Sequence, residues 1–77
     1  MYQIKYCGVW NYLSHAERLS AQIIKNIAHC TIVEGTKGQF DVFRNGRLIY
    51  SKEHSGKFPE LTDIGYDGEK WLWYRFL

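Results

Sequence analysis

The residue best suited to chemistry in this sequence is Cys7, which lies where a short predicted strand ends and an amphipathic helix is about to begin. A thiol beside a helix N-terminus meets the positive end of the peptide dipoles, which lowers its pKa and favours the reactive thiolate. A dithiol redox site usually places a second thiol three residues after the first, but this sequence has Trp10 there. The segment from Tyr6 to Tyr12 is therefore the predicted site, and its chemistry depends on how the tryptophan is interpreted.

The second cysteine, Cys30, has a different predicted environment. It follows the long helix and enters a strand, near the negative end of the helix dipole, so we expect a core thiol with a raised pKa. A helix from Ser14 to His29 rises about 24 Å, whereas a disulfide needs Cα atoms within about 7 Å. A bond between Cys7 and Cys30 is therefore excluded, and two free thiols indicate a reducing compartment, most simply the cytoplasm.

Two other patterns could suggest a ligand site. The histidines His15, His29 and His54 show no recognised metal-ligand spacing with the cysteines, so we predict no metal site. The segment 35–38 has the glycines of a phosphate loop, but it lacks the strand–loop–helix frame and the Gly-Lys-Ser/Thr ending. A tight turn is the favoured interpretation.

Composition narrows the function classes. The 77 residues make one predicted domain, 1–77, with 45% hydrophobic and 17% aromatic residues, enough to bury a core. The net charge is +2 and the basic residues are scattered, so no concentrated basic face for nucleic acid is expected. No apolar stretch approaches the roughly 18 residues of a membrane span, and no leader is recognisable.

Hydrophobic spacing predicts one long helix after the first strand. Tyr2 to Tyr6 alternate as a strand does. Ser14 and Glu17 have the spacing of a capping box, and apolar residues then recur at three- and four-residue intervals as far as His29. The residues of this predicted buried face are Leu13, Ala16, Leu19, Ile23, Ile24, Ile27 and Ala28.

The next segments are predicted strands. A second strand covers 30–34, and two β-rich runs, 39–44 and 47–52, flank Asn45-Gly46, which is typical of a hairpin with a type I′ turn. A polar loop is expected over 53–57.

The C-terminal part predicts two helices. Pro59 is placed to open a short helix over 60–62. A last helix over 69–77, capped by Asp67, is predicted, although strand spacing fits its apolar residues about equally well. Its aromatic cluster (Trp71, Trp73, Tyr74, Phe76) is interpreted as core closure, with an exposed interaction patch as the alternative.

The order of elements predicts an α/β fold. A right-handed crossover through the long helix makes the first two strands parallel, and the hairpin adds two antiparallel strands. The result is a small mixed four-stranded sheet with helices packed on it. In this arrangement the loop after the first strand lies at the carboxyl edge of the sheet, where such folds place their sites.

In its motifs the sequence resembles the selenoprotein W-type proteins of the Rdx family. The motifs occur in register over residues 2–60, and the sequence departs from the family pattern from Thr62 on. In order they are Tyr6-Cys7-Gly8, Gly35-Thr36-x-Gly38-x-Phe40-x-Val42, Asn45-Gly46, Leu48-Ile49-x-Ser51-Lys52 and Gly56-x-Phe58-Pro59. The resemblance implies a thioredoxin-like βαβββα fold with a Cys-x-x-Sec or Cys-x-x-Cys motif. Cys7 matches the first redox cysteine, and Trp10 stands at the position of the second cysteine or selenocysteine.

Three interpretations of Trp10 remain open. Its codon could be UGA, which specifies selenocysteine in selenoproteins. The chain could be a single-thiol protein, in which Cys7 forms a mixed disulfide that an external thiol resolves. It could also be a degenerate domain that keeps the fold and binds a partner without redox turnover, with Cys7 as an ordinary buried residue.

The leading hypothesis is a thiol-disulfide oxidoreductase that acts through Cys7 on glutathione or protein thiols, with Trp10 at the resolving position. Glutathione would be a co-substrate, and no cofactor is expected. The alternative is a redox-inactive protein-binding module on the same fold. The site loop also includes Tyr6, Gly8, Val9, Asn11 and Tyr12.

Overall fold

A computed structural model describes residues 1–67 and 70–71. The central part of the chain runs through β1 (Tyr2–Cys7), α1 (Leu13–Asn26), β2 (Cys30–Gly35), β3 (Phe40–Arg44) and β4 (Arg47–Ser51). The elements that follow are short: α2 (Lys52–Ser55), a 3-10 turn (Leu61–Ile64), β5 (Tyr66–Asp67) and β6 (Lys70–Trp71).

The first four strands form a mixed sheet in the order β2-β1-β3-β4. β1 is parallel to β2, with Tyr2 opposite Cys30 and Cys7 opposite Gly35. β3 is antiparallel to both β1 and β4. The predicted α/β class and four-stranded mixed sheet are therefore confirmed, and β1 ends in the centre of the sheet, between β2 and β3.

The core lies between α1 and one face of this sheet. The helix buries Ala16, Leu19 and Ile23, which recur at intervals of three and four residues. Across from them lie buried residues of the strands and of the 3-10 turn: Tyr2, Ile4, Cys30, Phe40, Val42 and Ile64. The apolar face is narrower than predicted, since Leu13, Ile24 and Ala28 are exposed.

The ends of α1 differ from the prediction. The helix begins at Leu13, and its N-cap Tyr12 makes no side-chain capping bond, so the capping box of Ser14 and Glu17 is wrong. The ring of Tyr12 packs against the core, and the helix starts directly after this anchored residue. At the other end, the helix stops at Asn26, three residues earlier than predicted.

The hairpin prediction is confirmed at its turn. Asn45 and Gly46 have φ of 51° and 83°, as a type I′ turn requires. β4 ends at Ser51, one residue earlier than predicted, because the one-turn helix α2 replaces the start of the expected polar loop.

The short helix expected after Pro59 is a 3-10 turn. It begins at Leu61, one residue later than predicted. It is stabilised by the backbone amide of Glu60, which donates to Oδ2 of Asp63 at 2.8 Å.

The C-terminal prediction is wrong where it can be compared. Lys70–Trp71 form a strand that pairs antiparallel with Tyr66–Asp67, whereas a helix was predicted over 69–77. The rest of that segment and most of its aromatic cluster lie outside the described residues. Among the residues that are described, no helix has the length and apolar character needed to span a membrane.

Candidate functional site

Cys7 is fixed at the carboxyl end of β1 by the sheet. Its backbone amide donates to the carbonyl oxygen of Gln39 at 2.7 Å, and it lies opposite Gly35 in the parallel ladder. The turn that follows Cys7 and the loop between β2 and β3 therefore meet at this edge. The turn after Cys7 thus lies at the carboxyl edge of the sheet, where the order of elements predicted it.

The sulfur of Cys7 is surrounded by main-chain donors. Burial raises the pKa of this thiol, but the backbone amides of Gly38, Trp10 and Val9 and the positive charge of Lys37 outweigh it, so the pKa lies below its ordinary value. The amide of Trp10 donates to Sγ at 3.2 Å. The direction agrees with the prediction, but the donors belong to the turn and to the β2–β3 loop and not to α1.

The sulfur of Cys7 is enclosed, because Cys7 is 0% exposed. The indole of Trp10, itself 46% exposed, lies on Gly38, where an added Cβ would come within 3.2 Å of Cζ3 of the indole. The same indole meets the ring of Tyr12 edge to face, with centroids 5.6 Å apart. The side chain at the resolving position therefore covers the residue whose amide faces the sulfur.

The other predicted site residues fall into two groups. Tyr6 and Tyr12 are half-buried and pack against the core. The ring of Tyr12 lies 4.8 Å from that of Phe58. The remaining members of the loop, Gly8, Val9 and Asn11, are exposed. Two aromatic rings thus anchor the ends of the turn, and its middle faces solvent.

A cavity of about 530 Å³ opens beside the turn, between the β2–β3 loop and the start of α2. Trp10 and Tyr12 form one wall, and Lys37, Gly38 and Lys52 line other sides. Lys37, Gly38 and Lys52 were not predicted as site residues. The parallel pairing of β1 with β2 was the available signal, since it brings the loop after each strand to the same edge.

A second cavity, of about 470 Å³, lies between α1 and the segment after β4. His15 and Phe58 line it, with their rings stacked at 3.7 Å. Cys7 lines neither cavity, but Trp10 and Gly38, whose amides face its sulfur, line only the cavity beside the turn, so that cavity is the candidate site.

The sequence matches the Rdx family over residues 2–65, which is most of the chain. The chain belongs to the Rdx family. A selenoprotein W-related protein from Vibrio cholerae has a similar structure, with a TM-score of 0.75 and 25% identity over 82% of this chain and 84% of the other. A protein from Bordetella parapertussis is equally similar, at 25% identity and a TM-score of 0.75 over 82% and 85% of the two chains.

These matches confirm the selenoprotein W-type resemblance and place the chain in a thioredoxin-like, redox-related family. A search of curated protein sequences finds no match.

The second thiol of this Rdx chain is distant from the first. Cys30 is buried as predicted. The pKa of its thiol is raised, also as predicted, but the cause is burial and not the helix dipole. In the β1–β2 ladder Cys7 lies opposite Gly35, five residues after Cys30, which separates the two cysteines by about 16 Å along the strands. Both thiols are free.

Within residues 1–67 and 70–71, no group of three or more His, Cys, Asp or Glu side chains could hold a metal ion.

Proposed function

We propose that this chain is a thiol-disulfide exchange protein in which Cys7 is the nucleophile and forms mixed disulfides with glutathione or a protein thiol. The observation that carries the proposal is the hydrogen bond of 3.2 Å from the Trp10 amide to Sγ of Cys7. The amides of Gly38 and Val9 and the charge of Lys37 also favour the thiolate. Amide donors around a sulfur stabilise the ionised form, which is the nucleophile in exchange.

The reaction has two balanced steps. The Cys7 thiolate attacks one sulfur of a disulfide RS–SR, so that a Cys7–SR bond forms, the original S–S bond breaks and its electron pair leaves as RS⁻. A second thiolate R′S⁻ then attacks the sulfur of the R group, which releases the Cys7 thiolate and forms RS–SR′. Cys7 is unchanged over the cycle.

The second thiolate must come from outside the chain. Trp10 has no sulfur, and Cys30 is about 16 Å away along the sheet. Glutathione or a partner protein supplies the resolving thiol in this proposal, and the reducing conditions of the cytoplasm keep it available.

Access to Cys7 requires a movement of the turn, because the sulfur is 0% exposed. We expect the turn to be the element that moves, since its middle residues Gly8, Val9 and Asn11 are exposed. The aromatic contacts of Trp10 oppose this opening. The proposed reaction is therefore gated by the turn and not by the acidity of the thiol alone.

Alkylation by iodoacetamide across pH tests the proposal. Peptide mass spectrometry distinguishes Cys7 from Cys30, and Cys7→Ser is the control. We expect the rate at Cys7 to level off below the free-thiol pKa of about 8.5, whereas Cys30 should react only after unfolding. A Cys7 thiol that is also inert until the chain unfolds would overturn the proposal.

Oxidised glutathione provides the second test. The proposal expects a glutathione adduct on Cys7 that disappears when reduced glutathione is added, and no adduct on Cys7→Ser. Absence of the adduct from the folded protein would contradict the mixed-disulfide route.

A redox-inactive binding module is the second candidate function. It is favoured by the apolar exposure of the turn, where Val9 is 77% and Trp10 46% exposed. Exposed apolar side chains next to one another are typical of interaction sites. An inert Cys7 in both thiol experiments would favour this function.

A further inference from the structure

The cavity beside the turn is separated from the reactive sulfur by two of its lining residues, since Cys7 itself does not line it. Trp10 and Gly38 both line it, and the backbone amides of both face Sγ of Cys7. The indole of Trp10 rests on Gly38, so these residues form the partition between cavity and sulfur. A molecule that reacts with Cys7 from this side must occupy the cavity.

Lys37 is the charged residue at the sulfur end of this cavity. It directly precedes Gly38 in the chain, lines the cavity and is exposed. Among the residues that the structure describes, no carboxylate lies within ion-pair distance of the Lys37 ammonium group, and the ion pair between Lys57 and Asp63 does not involve it.

The other charged residues that line the cavity are Asp41, Lys52 and Glu53. Asp41 accepts a hydrogen bond of 2.8 Å from Nε2 of Gln39. The ammonium group of Lys52 lies over the rings of Tyr12 and Phe58, 5.5 and 5.0 Å from their centroids. Glu53 follows Lys52 on α2, away from the β2–β3 loop in the chain. The charges of Lys37, Asp41, Lys52 and Glu53 cancel over the whole cavity, and Lys37 is the one that directly precedes Gly38. The carboxylate of Glu34, which does not line the cavity, lies against Gly8.

We propose that Lys37 is a specificity-determining residue that favours partners carrying a carboxylate close to the reacting sulfur. This inference rests on the proposed function, since it concerns the same exchange at Cys7. The carboxylate of the partner would pair with the Lys37 ammonium group while its disulfide is presented to the thiolate. Complementary charge at a site raises the encounter rate and selects the partner.

The experiment uses three small symmetrical disulfides that differ in charge. Dithiodipropionate is anionic, 2-hydroxyethyl disulfide is neutral and cystamine is cationic. In each case the Cys7 thiolate displaces one RS⁻, and the mixed disulfide on Cys7 is followed by peptide mass spectrometry. The variants are Lys37→Gln and, as the matched control, Lys25→Gln, an exposed lysine in the last turn of α1.

The decisive quantity is the rate with the anionic disulfide divided by the rate with the neutral one. A change in the thiolate fraction of Cys7 affects both rates equally, so it cancels in this ratio. The intrinsic reactivity of each disulfide cancels when the ratio of the variant is compared with that of the wild type. For an exposed charge pair we expect Lys37→Gln to lower the ratio about two- to fivefold. The cationic-to-neutral ratio should rise, and Lys25→Gln should leave both ratios at their wild-type values.

The outcomes separate this inference from the proposed function. If the neutral disulfide modifies Cys7 but Lys37→Gln leaves the ratios unchanged, or Lys25→Gln changes them equally, Lys37 does not select the partner and the exchange function stands. If none of the three disulfides modifies Cys7 in the folded protein, the exchange function itself fails, and this inference fails with it.

Discussion

The backbone amide of Trp10 donates a hydrogen bond of 3.2 Å to Sγ of Cys7. The contact is made by the main chain, so it does not depend on which side chain stands at position 10. Replacement of a second thiol by an indole therefore removes the internal resolving sulfur but keeps a donor that stabilises the Cys7 thiolate. In the proposed function the two properties of a redox motif, an acidic thiol and its resolving partner, are separated in this chain.

The indole of Trp10 should limit access to Cys7 without setting its acidity. Removing the edge-to-face contact with Tyr12, worth about 0.5–1.5 kcal/mol, should raise the population of the open turn. We expect Trp10→Ala to increase the plateau rate of Cys7 alkylation about two- to tenfold. The pH midpoint should move little, because the amide remains. The control is Leu13→Ala, which removes an exposed apolar side chain at the start of α1 and should leave the plateau rate unchanged. A shifted pH midpoint together with an unchanged plateau rate would contradict this division of roles.

A second thiol at position 10 should form a disulfide with Cys7. The amide nitrogen of residue 10 is 3.2 Å from Sγ, so its Cα lies at most about 4.7 Å from that sulfur, within reach of a disulfide. We expect oxidised Trp10→Cys to lose two free thiols, measured by thiol titration and intact mass. The double variant Cys7→Ser, Trp10→Cys should keep its free thiols. Persistence of both thiols in the single variant after oxidation would show that the turn holds them apart.

Tyr2 should make the protein sensitive to alkali. Burial raises the pKa of its hydroxyl from 10.0 to about 12, although Arg44 partly offsets this. Between these values the unfolded chain binds fewer protons than the folded one, so the free energy of unfolding falls as pH rises from about 10 to about 12. A shift of this size corresponds to at most about 2.7 kcal/mol. Urea unfolding of wild type and Tyr2→Phe across this range measures the effect, and parallel pH profiles would contradict it.

Two adjacent isoleucines of α1 should differ strongly in their effect on stability. Ile23 is fully buried, whereas Ile24 is 56% exposed. Ile23→Ala leaves a core cavity and should cost about 2–5 kcal/mol of the free energy of unfolding. Ile24→Ala should change it by less than about 0.5 kcal/mol. Urea denaturation of both variants provides the comparison, and equal losses would mean that the described core face of α1 is incorrect.

Local sequence chemistry predicted much of this fold. Asn45 and Gly46 tolerate positive φ, so the hairpin could be located from a dipeptide. The spacing of Ala16, Leu19 and Ile23 identified the buried face of α1. The start of α1 could not be found in this way, because it depends on the contact between Tyr12 and Phe58, residues far apart in the chain.

The sequence by itself determined the class of the fold, the position of Cys7 at the end of the first strand and the absence of a second thiol three residues later. Only the tertiary structure decided that the sulfur is enclosed and that Gly38 and Lys37 act on it. The physical reason is that burial and electrostatic surroundings are set by groups brought together in space. Here the pairing of β1 with β2 places the loop that contains Lys37 and Gly38 next to Cys7, about thirty positions earlier in the chain.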